Sequence, residues 1–487
     1  MNNNLKQKSL KMNMILNAVK GIMSIIFPLI SFPYASKVLG VDNIGKFGFA
    51  NSVITYFILF ADLGISTYAI REGAKMRSDK EKINTFASEM FSLNCVSSVC
   101  SLGVLFLCIG VVPKFQSYRA LLFIMSFQIL FRAIGVEWIY SVYEEYTYIT
   151  IRTVFFQIIA LILLFLLVKT EKDIVVYTCI NVVTSVLANI INFIRSKKFC
   201  TIRLTGKISY TAHMKTILIL FFMNLTVSIY VVSDTTIIGF ICDDYTVGIY
   251  SLSTKIYSMI KTVISSVLIV SIPRLSALLN ENSRHQFEEV ATDIYKTLLS
   301  VMLPTIVGII LLRREIILIA ANETFLAAQS SLALLGIAMF FCMGAWFWGQ
   351  CVLVPLQKEK SVFYITLVSA GVNIVLNFIL IPIGKENAAA FTTILAEAIA
   401  YFSCMVIGRK QICLGKLRKT IGKILAGCGG FGCLIVMQPT DWTGAYSTLI
   451  VSLSIVIYIG IEIFLKNEVF LEISKRLKSL LSRKDNR

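Results

Sequence analysis

The sequence predicts an all-α integral membrane protein that crosses a bilayer about fourteen times, because its composition is apolar and its apolar runs recur. Of the 487 residues, 56% are hydrophobic and only 15% are charged, and the mean hydropathy is +0.77. A soluble domain averages about 25% charged residues, so this chain has too few charges to cover a water-facing surface of its size. Apolar runs of about 20 residues, the length of one membrane helix, follow one another along the whole chain.

Fourteen apolar runs are candidates for membrane-spanning helices. They lie near 13–36, 45–70, 84–111, 118–140, 149–168, 174–194, 214–239, 247–272, 297–319, 328–354, 362–383, 388–408, 421–437 and 446–465. Strands of a membrane barrel would instead show alternating polar and apolar residues over segments of about ten residues. Runs such as 158–168 do not alternate, so helices are favoured.

Lysine and arginine collect in alternate loops, and this distribution predicts the orientation of the helices. The N-terminal segment, the loops near 71–83 and 195–213 and the C-terminal tail are rich in basic residues, whereas the intervening loops carry few. Because basic loops stay in the cytoplasm, both termini are predicted to be cytoplasmic. The formal net charge of +18 belongs to these segments. Anionic membrane lipid is therefore the expected partner, and nucleic acid is not.

The residues that usually carry chemistry form no catalytic or metal-binding pattern. The 12 cysteines include no CxxC pair, and the two histidines, His213 and His285, both fall at loop edges. No GxxxxGK[ST] phosphate loop is present, and the longest loops, near 195–213 and 273–296, are too short for a soluble domain. We therefore expect no catalytic residue, no metal and no cofactor, which argues against an ATP-driven pump or a membrane-tethered enzyme.

A weak internal repeat suggests how the chain is divided. The segments 44–47 and 247–250 both carry an apolar-Gly-x-aromatic pattern after a short acidic turn, although so short a match can arise by chance. We predict an N-terminal six-helix lobe over 1–208, a C-terminal six-helix lobe over 209–408, and two additional transmembrane helices with a basic cytoplasmic tail over 409–487. Because each lobe has an even number of helices, both lobes cross the membrane in the same direction. Such parallel repeats are typical of transporters with a substrate path between the repeats.

Several ionisable residues fall well inside the predicted spans. Each costs about 2.5–3.5 kcal/mol at a helix centre, which favours an internal cavity or a charge partner. Glu89, Glu137 and Asp234 lie near helix ends, where a charged side chain can also reach the membrane surface. Four cations are predicted to line a path for an anionic substrate: Lys20, Arg132, Lys255 and Lys261. Three carboxylates are candidates for coupling or gating: Asp62, Asp234 and Glu397.

Polar side chains repeat at helical spacing in several spans. In the span near 247–272 one face carries Thr254, Ser258, Lys261 and Ser265. A polar, cationic face on a membrane helix should meet water or an anion, and the alternative is that its hydroxyl groups bond to a neighbouring helix. The predicted polar lining of the path consists of Ser258, Asn224, Asn373 and Asn377.

Several short motifs in a fixed order resemble one family of membrane transporters. They are the segments 32–40 with 45–50, 62–65 with 71–75, 138–152, 234–255, 273–276 and 373–397. Over about 30–400 the sequence resembles the bacterial polysaccharide flippases, the Wzx-like oligosaccharide repeat-unit transporters of the MATE/MOP exporter superfamily. The last eighty or so residues match only as two hydrophobic spans.

The resemblance implies a function as well as a fold. The family's fold has two six-helix lobes around a cationic cavity, followed here by a C-terminal helix pair. Its members move undecaprenyl-pyrophosphate-linked oligosaccharide repeat units across the bacterial cytoplasmic membrane by alternating access, for O-antigen, capsule or exopolysaccharide synthesis. No covalent chemistry is expected, and a polysaccharide polymerase and chain-length proteins are the expected protein partners.

Two other classes of protein remain open from the residues alone. One is a MATE-type multidrug/cation antiporter of the same fold, which a cavity dominated by carboxylates would favour. The other is a membrane-embedded enzyme such as a polysaccharide polymerase. A polymerase would usually carry a large basic loop on the outside, whereas the longest loops here are predicted to be cytoplasmic.

Overall fold

The computed structural model describes residues 10–206, 210–269, 271–280, 283–436 and 445–471. Within these ranges the chain is almost entirely helical and contains no strand. The first helices are α1 Leu10–Asp62, α2 Ile65–Met76, α3 Lys80–Val111, α4 Pro113–Gln116, α5 Arg119–Gly135, α6 Glu137–Val142, α7 Tyr146–Leu167, α8 Ile174–Ser196 and α9 Tyr210–Ile241. The others are α10 Asp244–Ile269, α11 Ile272–Asn280, α12 Arg284–Leu311, α13 Arg313–Ala320, α14 Ala328–Trp346, α15 Glu359–Arg409, α16 Arg418–Val436 and α17 Ala445–Phe464.

The predicted all-α membrane fold is confirmed, because every predicted span falls on a helix. Within the described ranges, nine helical segments are long and apolar enough to cross a membrane. Two residues with non-helical backbone angles lie within single continuous helices, Gly40 in α1 (φ 75°) and Lys385 in α15 (φ 48°). Both residues lie where the sequence predicts a short turn between two spans. The total of fourteen spans stays a prediction, and the loop around Thr440 lies outside the described residues.

Three predicted spans are wrong in detail, because the helix breaks inside the apolar run. The span 45–70 ends at Asp62, where Leu63 (φ 47°) and Gly64 (φ 77°) take left-handed angles before α2 begins. The span 118–140 breaks at Val136 (φ 33°). The span 297–319 changes from α12 to α13 at Leu312. Leu63 and Val136 are themselves apolar, so hydropathy does not reveal the breaks at these two residues.

The chain forms two compact units, Met1–Gly248 and Ile249–Arg487. In the first unit, helices α2, α3 and α6 enclose a core that includes Phe86, Trp138 and Ile217. In the second unit, α14 packs closely on α15, and the ring of Tyr401 lies against Gly344. The predicted lobes 1–208 and 209–408 and the pair 409–487 stay a prediction.

The two motifs of the weak repeat contact each other within the first unit. A Cβ atom on Gly45 would overlap the carbonyl oxygen of Asp244 and lie 2.9 Å from the backbone nitrogen of Gly248. A Cβ atom on Gly248 would overlap the carbonyl oxygen of Val41. Each motif therefore needs a residue without a side chain, since only glycine lets the two backbones approach so closely.

The end of α14 continues as a π-helix over Phe347–Leu353. Its hydrogen bonds include one from the Val354 amide to the Gly349 carbonyl, 2.9 Å long and five residues back. The segment is buried, and Trp348 is only 1% exposed. A Cβ atom on Gly408 of α15 would overlap the Trp348 ring.

Candidate functional site

In the first unit, the predicted path cation Arg132 forms an ion pair with the predicted gating carboxylate Asp62. Arg132 Nε at the end of α5 lies 3.7 Å from Asp62 Oδ1 at the end of α1. The Ser66 hydroxyl, on the first turn of α2, donates a hydrogen bond to the same carboxylate oxygen. The pair thus lies at the break between α1 and α2, and part of the predicted cationic charge is neutralised there.

Asp234 is also buried in the first unit, at 8% exposure. It interacts electrostatically with Tyr56, whose hydroxyl bonds to Thr236. Thr236 in turn donates a 3.0 Å hydrogen bond to Ser52 of α1. The hydrogen bond between Thr236 and Ser52 joins α1 to α9. Because Asp234 is buried near this contact, its carboxylate does not simply extend to the membrane surface. Asn224 is half-buried on α9, and the side chain of Lys20 lies outside the described residues.

In the second unit, Lys261 lies in a small polar cluster formed by α10, α14 and α15. Its ammonium group bonds to Cys342 and is attracted by the carboxylate of Glu397. The Lys261 nitrogen also lies 5.8 Å from the centre of the Tyr257 ring. Cys342 and Glu397 are each only 5% exposed. The structure therefore brings together one predicted path residue and one predicted gating residue.

Thr254 and Ser258 of α10 bond to the backbone of their own helix, whereas the Ser253 hydroxyl lies 2.8 Å from that of Ser331 on α14. Thr254 donates to the Tyr250 carbonyl (3.0 Å) and Ser258 to the Lys255 carbonyl (2.9 Å). Ser258 is exposed and Lys255 is half-buried, and among the described residues no carboxylate acts on the Lys255 ammonium. Bonding of these two hydroxyl groups to the helix backbone leaves their face free for other contacts.

Asn373 and Asn377 bond to each other in the first half of α15 and to Thr392 in its second half. The Asn377 amide donates to Asn373 Oδ1 at 3.2 Å, and Thr392 donates to Asn377 Oδ1. All three side chains are at most 2% exposed. Because these groups satisfy one another, they hold the halves of α15 together on either side of Lys385. Their part in lining a path stays a prediction.

Two polar networks in the first unit were missed by sequence analysis. The Tyr68 hydroxyl lies 2.7 Å from His213 Nδ1, and His213 Nε2 lies 3.0 Å from Glu89 Oε2. The expectation that Glu89 reaches the membrane surface is wrong, because Glu89 is only 8% exposed. No sequence signal links these residues, since they come from α2, α9 and α3.

The second missed network surrounds the break between α5 and α6. Arg152 of α7 donates to Glu137 Oε2 at 3.0 Å. The Arg195 guanidinium of α8 stacks 4.1 Å above the Tyr148 ring, and the Tyr148 hydroxyl donates to Asn192 at 3.0 Å. The motif 138–152 that carries part of the family resemblance is therefore a packing junction of α6, α7 and α8.

In the described part of the chain, no three histidine, cysteine or acidic side chains are placed to hold a metal ion. The polar clusters instead consist of charged and neutral groups that pair with one another inside helical bundles. Such an arrangement can bind, orient and release a charged molecule, and nothing in it requires a bond to be made or broken.

Comparisons with known sequences agree with the resemblance. The model of the polysaccharide biosynthesis protein family matches residues 10–279, and the MatE model matches residues 220–379. A protein of Escherichia coli (strain K12), provisionally named an O-antigen transporter, is 23% identical over 402 residues, which cover 81% of this chain and 96% of that protein. A protein of Shigella dysenteriae with the same provisional name is 21% identical, over 55% of this chain and 68% of that protein.

Comparisons with solved structures identify the fold. The lipid II flippase MurJ, in an inward closed conformation, is similar with a TM-score of 0.77 at 18% identity, covering 93% of this chain and 100% of that chain. An inward-facing multidrug resistance MATE family transporter of the MOP superfamily has a TM-score of 0.58 at 13% identity, covering 82% and 97%. Because the polysaccharide biosynthesis model spans more than half of the sequence, the chain belongs to the polysaccharide biosynthesis protein family.

Proposed function

We propose that the protein is a flippase that moves lipid-linked oligosaccharide repeat units across the bacterial cytoplasmic membrane for surface polysaccharide synthesis. The observation that carries this proposal is the match of the polysaccharide biosynthesis family over residues 10–279. The provisional O-antigen transporters and the lipid II flippase fold point to the same class of cargo. The alternative, a MATE-type multidrug/cation antiporter, is less favoured, because the relative that covers 81% of the chain is named for O-antigen transport.

The cargo that best fits the intramembrane cations is a glycan joined to undecaprenyl pyrophosphate. Lysine and arginine side chains bind phosphate oxygens through charge-assisted hydrogen bonds. Lys255 supports this proposal most directly, because among the described residues no carboxylate neutralises it. Arg132 and Lys261 have carboxylate neighbours, so an arriving pyrophosphate would compete with Asp62 and Glu397 for them. Such competition gives these carboxylates a gating role in alternating access.

The functional test is the fate of the cargo in cells that lack the protein. We expect lipid-linked repeat units to accumulate on the cytoplasmic leaflet, because transport is lost while synthesis continues. The measurement is the leaflet distribution of extracted repeat units, with a complemented strain as the control. Delivery of unpolymerised units to the outer face in the deletion strain would instead indicate a polymerase. The polymerase and the chain-length proteins would then be partners that act after this step.

The proposed path is tested at Lys261. Lys261→Ala should lower surface polysaccharide per inserted protein, because the cargo loses a cation. The amount of inserted protein is measured separately, since the substitution also removes the cation beside the buried Glu397 carboxylate. Lys261→Arg should keep part of the activity, since it keeps the charge and changes its shape. Lys360→Ala is the matched control, because Lys360 is an exposed lysine at the start of α15. Unchanged polysaccharide per inserted protein in alanine variants of Lys20, Arg132, Lys255 and Lys261 would exclude the cationic path.

A further inference from the structure

A cavity of about 360 Å³ lies in the second unit, beside the segment that connects α15 to α16. We call this segment, residues 411–417, the connecting strap. The wall of the cavity is formed by the strap, by Tyr295 of α12, by Trp348 of the π-helix and by Met405 and Arg409 near the end of α15. Its volume falls in the range of about 300–1,000 Å³ that is usual for small-molecule sites. None of the described residues that are predicted to line the transport path contributes to this wall.

Two backbone hydrogen bonds hold the connecting strap against α12. The Cys413 amide donates to Glu288 Oε1 at 3.1 Å, and the Gly415 amide donates to Thr292 Oγ1 at 3.0 Å. The two acceptors lie one turn apart on α12, and the two amides lie two residues apart on the strap. The strap is therefore fixed to a helix of the second unit, and the cavity beside it is part of the fold.

The wall of the cavity carries a cation that the fold does not neutralise. Arg409 is exposed in the last turn of α15, and in the part of the chain that the structure describes it forms no ion pair. The sequence from 398 to 440 contains six lysine and arginine residues and no aspartate or glutamate. Glu288, the carboxylate that contacts the strap, already accepts a hydrogen bond from the Cys413 amide. The electrostatic potential of the cavity thus favours an anion.

Neutral donors add to the arginine. The indole nitrogen of Trp348 is buried and has no hydrogen-bond partner among the described residues. The six-membered edge of this indole lies against Gly408, so its nitrogen points away from α15. Leu417 lines the cavity, and its carbonyl accepts the first hydrogen bond of α16, from the Ile421 amide at 2.9 Å. The amides of the first turn of a helix lack helical partners and favour a negative charge beside them.

The remaining wall is apolar and partly aromatic, with Tyr295, Met405 and Leu414 among its side chains. A small inorganic ion would leave this surface uncovered, whereas a molecule with an apolar body would bury it. Sites for small molecules commonly combine such an apolar wall with a few polar groups that fix the orientation of the ligand. The expected ligand therefore has one anionic group and an apolar or aromatic body.

The first unit contains a similar strap, but the arginine beside it is already occupied. The amides of residues 201 and 203 donate to two side chains one turn apart on α3, at 2.7 and 3.1 Å. Arg195, in the last turn of α8, stacks 4.1 Å above the Tyr148 ring and lies 3.9 Å from Glu145. The corresponding cation thus supports the packing of the first unit, whereas Arg409 is available to a ligand.

We propose that the cavity beside the connecting strap binds a phosphate monoester with an apolar or aromatic body. Arg409 binds the phosphate oxygens, and the apolar wall covers the body. A phosphate monoester carries a charge of about −1.5 to −2 at pH 7, which suits a guanidinium group next to a helix N-terminus better than a carboxylate does. The site goes beyond the transport function proposed above and does not depend on it. Because the ligand contacts the end of α15 and the strap that leads into α16, its binding stabilises the attachment of α16 to the second unit.

Binding can be located at the cavity through Cys413, whose thiol is exposed in the wall. The purified full-length protein is treated with an alkylating reagent, and modification of Cys413 is followed by mass spectrometry. The soluble probe is benzyl phosphate, and benzyl alcohol and inorganic phosphate represent its two parts. At ten times the dissociation constant of benzyl phosphate, alkylation of Cys413 should slow about tenfold, because bound ligand covers the thiol. Each part alone should bind more weakly than the whole.

The same measurement in lipid nanodiscs distinguishes two sources of the phosphate. Nanodiscs with phosphatidic acid present a lipid phosphate monoester, and nanodiscs of neutral lipid alone are the control. Protection of Cys413 by phosphatidic acid would support the proposal and assign the ligand to the membrane. Protection by benzyl phosphate alone would support it and assign the ligand to the cytoplasm. Protection by neither would overturn it.

Two variants test the named groups. Arg409→Gln should weaken the binding of benzyl phosphate at least about tenfold, because it removes a hydrogen bond to a charged group. Lys410→Gln is the matched control, since Lys410 is the exposed neighbour that does not line the cavity. Leu414→Trp keeps Arg409 and fills the cavity, so the effect of the ligand on Cys413 should disappear. The unfolding midpoint without ligand shows whether each variant is folded.

These results distinguish a ligand site from a loosely packed cavity. Equal binding by the wild type and a folded Arg409→Gln protein would overturn the proposal, as would an equal loss in Lys410→Gln. Binding of inorganic phosphate as tightly as benzyl phosphate would exclude the apolar body. Because no transport is measured, a failure of the proposed flippase function would leave these outcomes unchanged.

Discussion

The ion pair between Arg132 and Asp62 is unequal, because its two side chains differ in burial. The Asp62 side chain is 12% exposed and the Arg132 side chain is 44% exposed. Loss of the arginine would leave the buried Asp62 carboxylate with an uncompensated charge beside the Ser66 hydroxyl. Loss of the aspartate would leave a guanidinium group that already reaches out of the protein interior. The two single substitutions should therefore have different consequences.

We predict that Arg132→Gln lowers the amount of folded, membrane-inserted protein more than Asp62→Asn does. An isolated charge inside the membrane costs about 2.5–3.5 kcal/mol on insertion scales, and only the first substitution strands a buried charge. The measurement is the monodisperse fraction of a fluorescent fusion on size-exclusion chromatography. Arg71→Gln is the control, because the Arg71 side chain is 54% exposed. An equal or larger loss in Asp62→Asn would contradict the unequal pair.

At this scale, sequence analysis identified charged residues better than it identified their partners. Asp62, Arg132, Lys261 and Glu397 stand out because an ionisable group is costly within an apolar run. Their pairing depends on which helices are neighbours, and hydropathy contains no information on that. His213 was missed for a related reason, since it begins a helix and its two partners, Tyr68 and Glu89, lie in distant parts of the sequence.

Among the helices, the contact between the segments 44–47 and 247–250 strictly requires a glycine in each segment. Gly45 and Gly248 lie where a Cβ atom would overlap the backbone of the opposite segment. Backbone atoms cannot move aside as a flexible side chain can. The contact also explains why the motif occurs twice, because each copy supplies the glycine that the other copy needs.

We predict that Gly45→Ala and Gly248→Ala each lower the thermal stability of the purified protein. Forcing an extra methyl group into a closely packed contact costs roughly 1–3 kcal/mol. Gly103→Ala is the matched control, because Gly103 lies in α3 and a Cβ atom there meets nothing within 4 Å. Alanine favours a helix over glycine by up to about 1 kcal/mol, so the control should be neutral or slightly more stable. The measurement is the unfolding midpoint, and a Gly45→Ala midpoint equal to that of the control would show that the two segments are further apart.

The positions of helices could be predicted from the sequence, and their interruptions could not. An apolar run of about 20 residues is sufficient to place a membrane helix. The turns at Gly40 and Lys385 were found because polar or glycine residues interrupt the runs. The breaks at Leu63 and Val136 were not, because left-handed backbone angles at apolar residues leave the hydropathy unchanged.

For the whole molecule, the orientation in the membrane follows from the basic loops and remains to be measured. We predict that reporter fusions after Arg203 and after Arg418 report a cytoplasmic location, because both positions follow predicted basic cytoplasmic segments. A fusion after Thr440 should report the outer face, since it falls between the last two predicted spans. An external location after Arg203 would reverse the predicted topology.

The π-helix at Phe347–Leu353 has a consequence for how relatives of this protein should be aligned. A π turn holds one residue more than an α turn, so the segment is equivalent to a single-residue insertion in a helix. A relative that lacks one residue between Trp346 and Val354 would form an uninterrupted α-helix there and keep the faces of the flanking turns in phase. A gap in an alignment should therefore be placed inside this segment, where its loss changes the winding of one turn and leaves the neighbouring contacts of α14 and α15 in register.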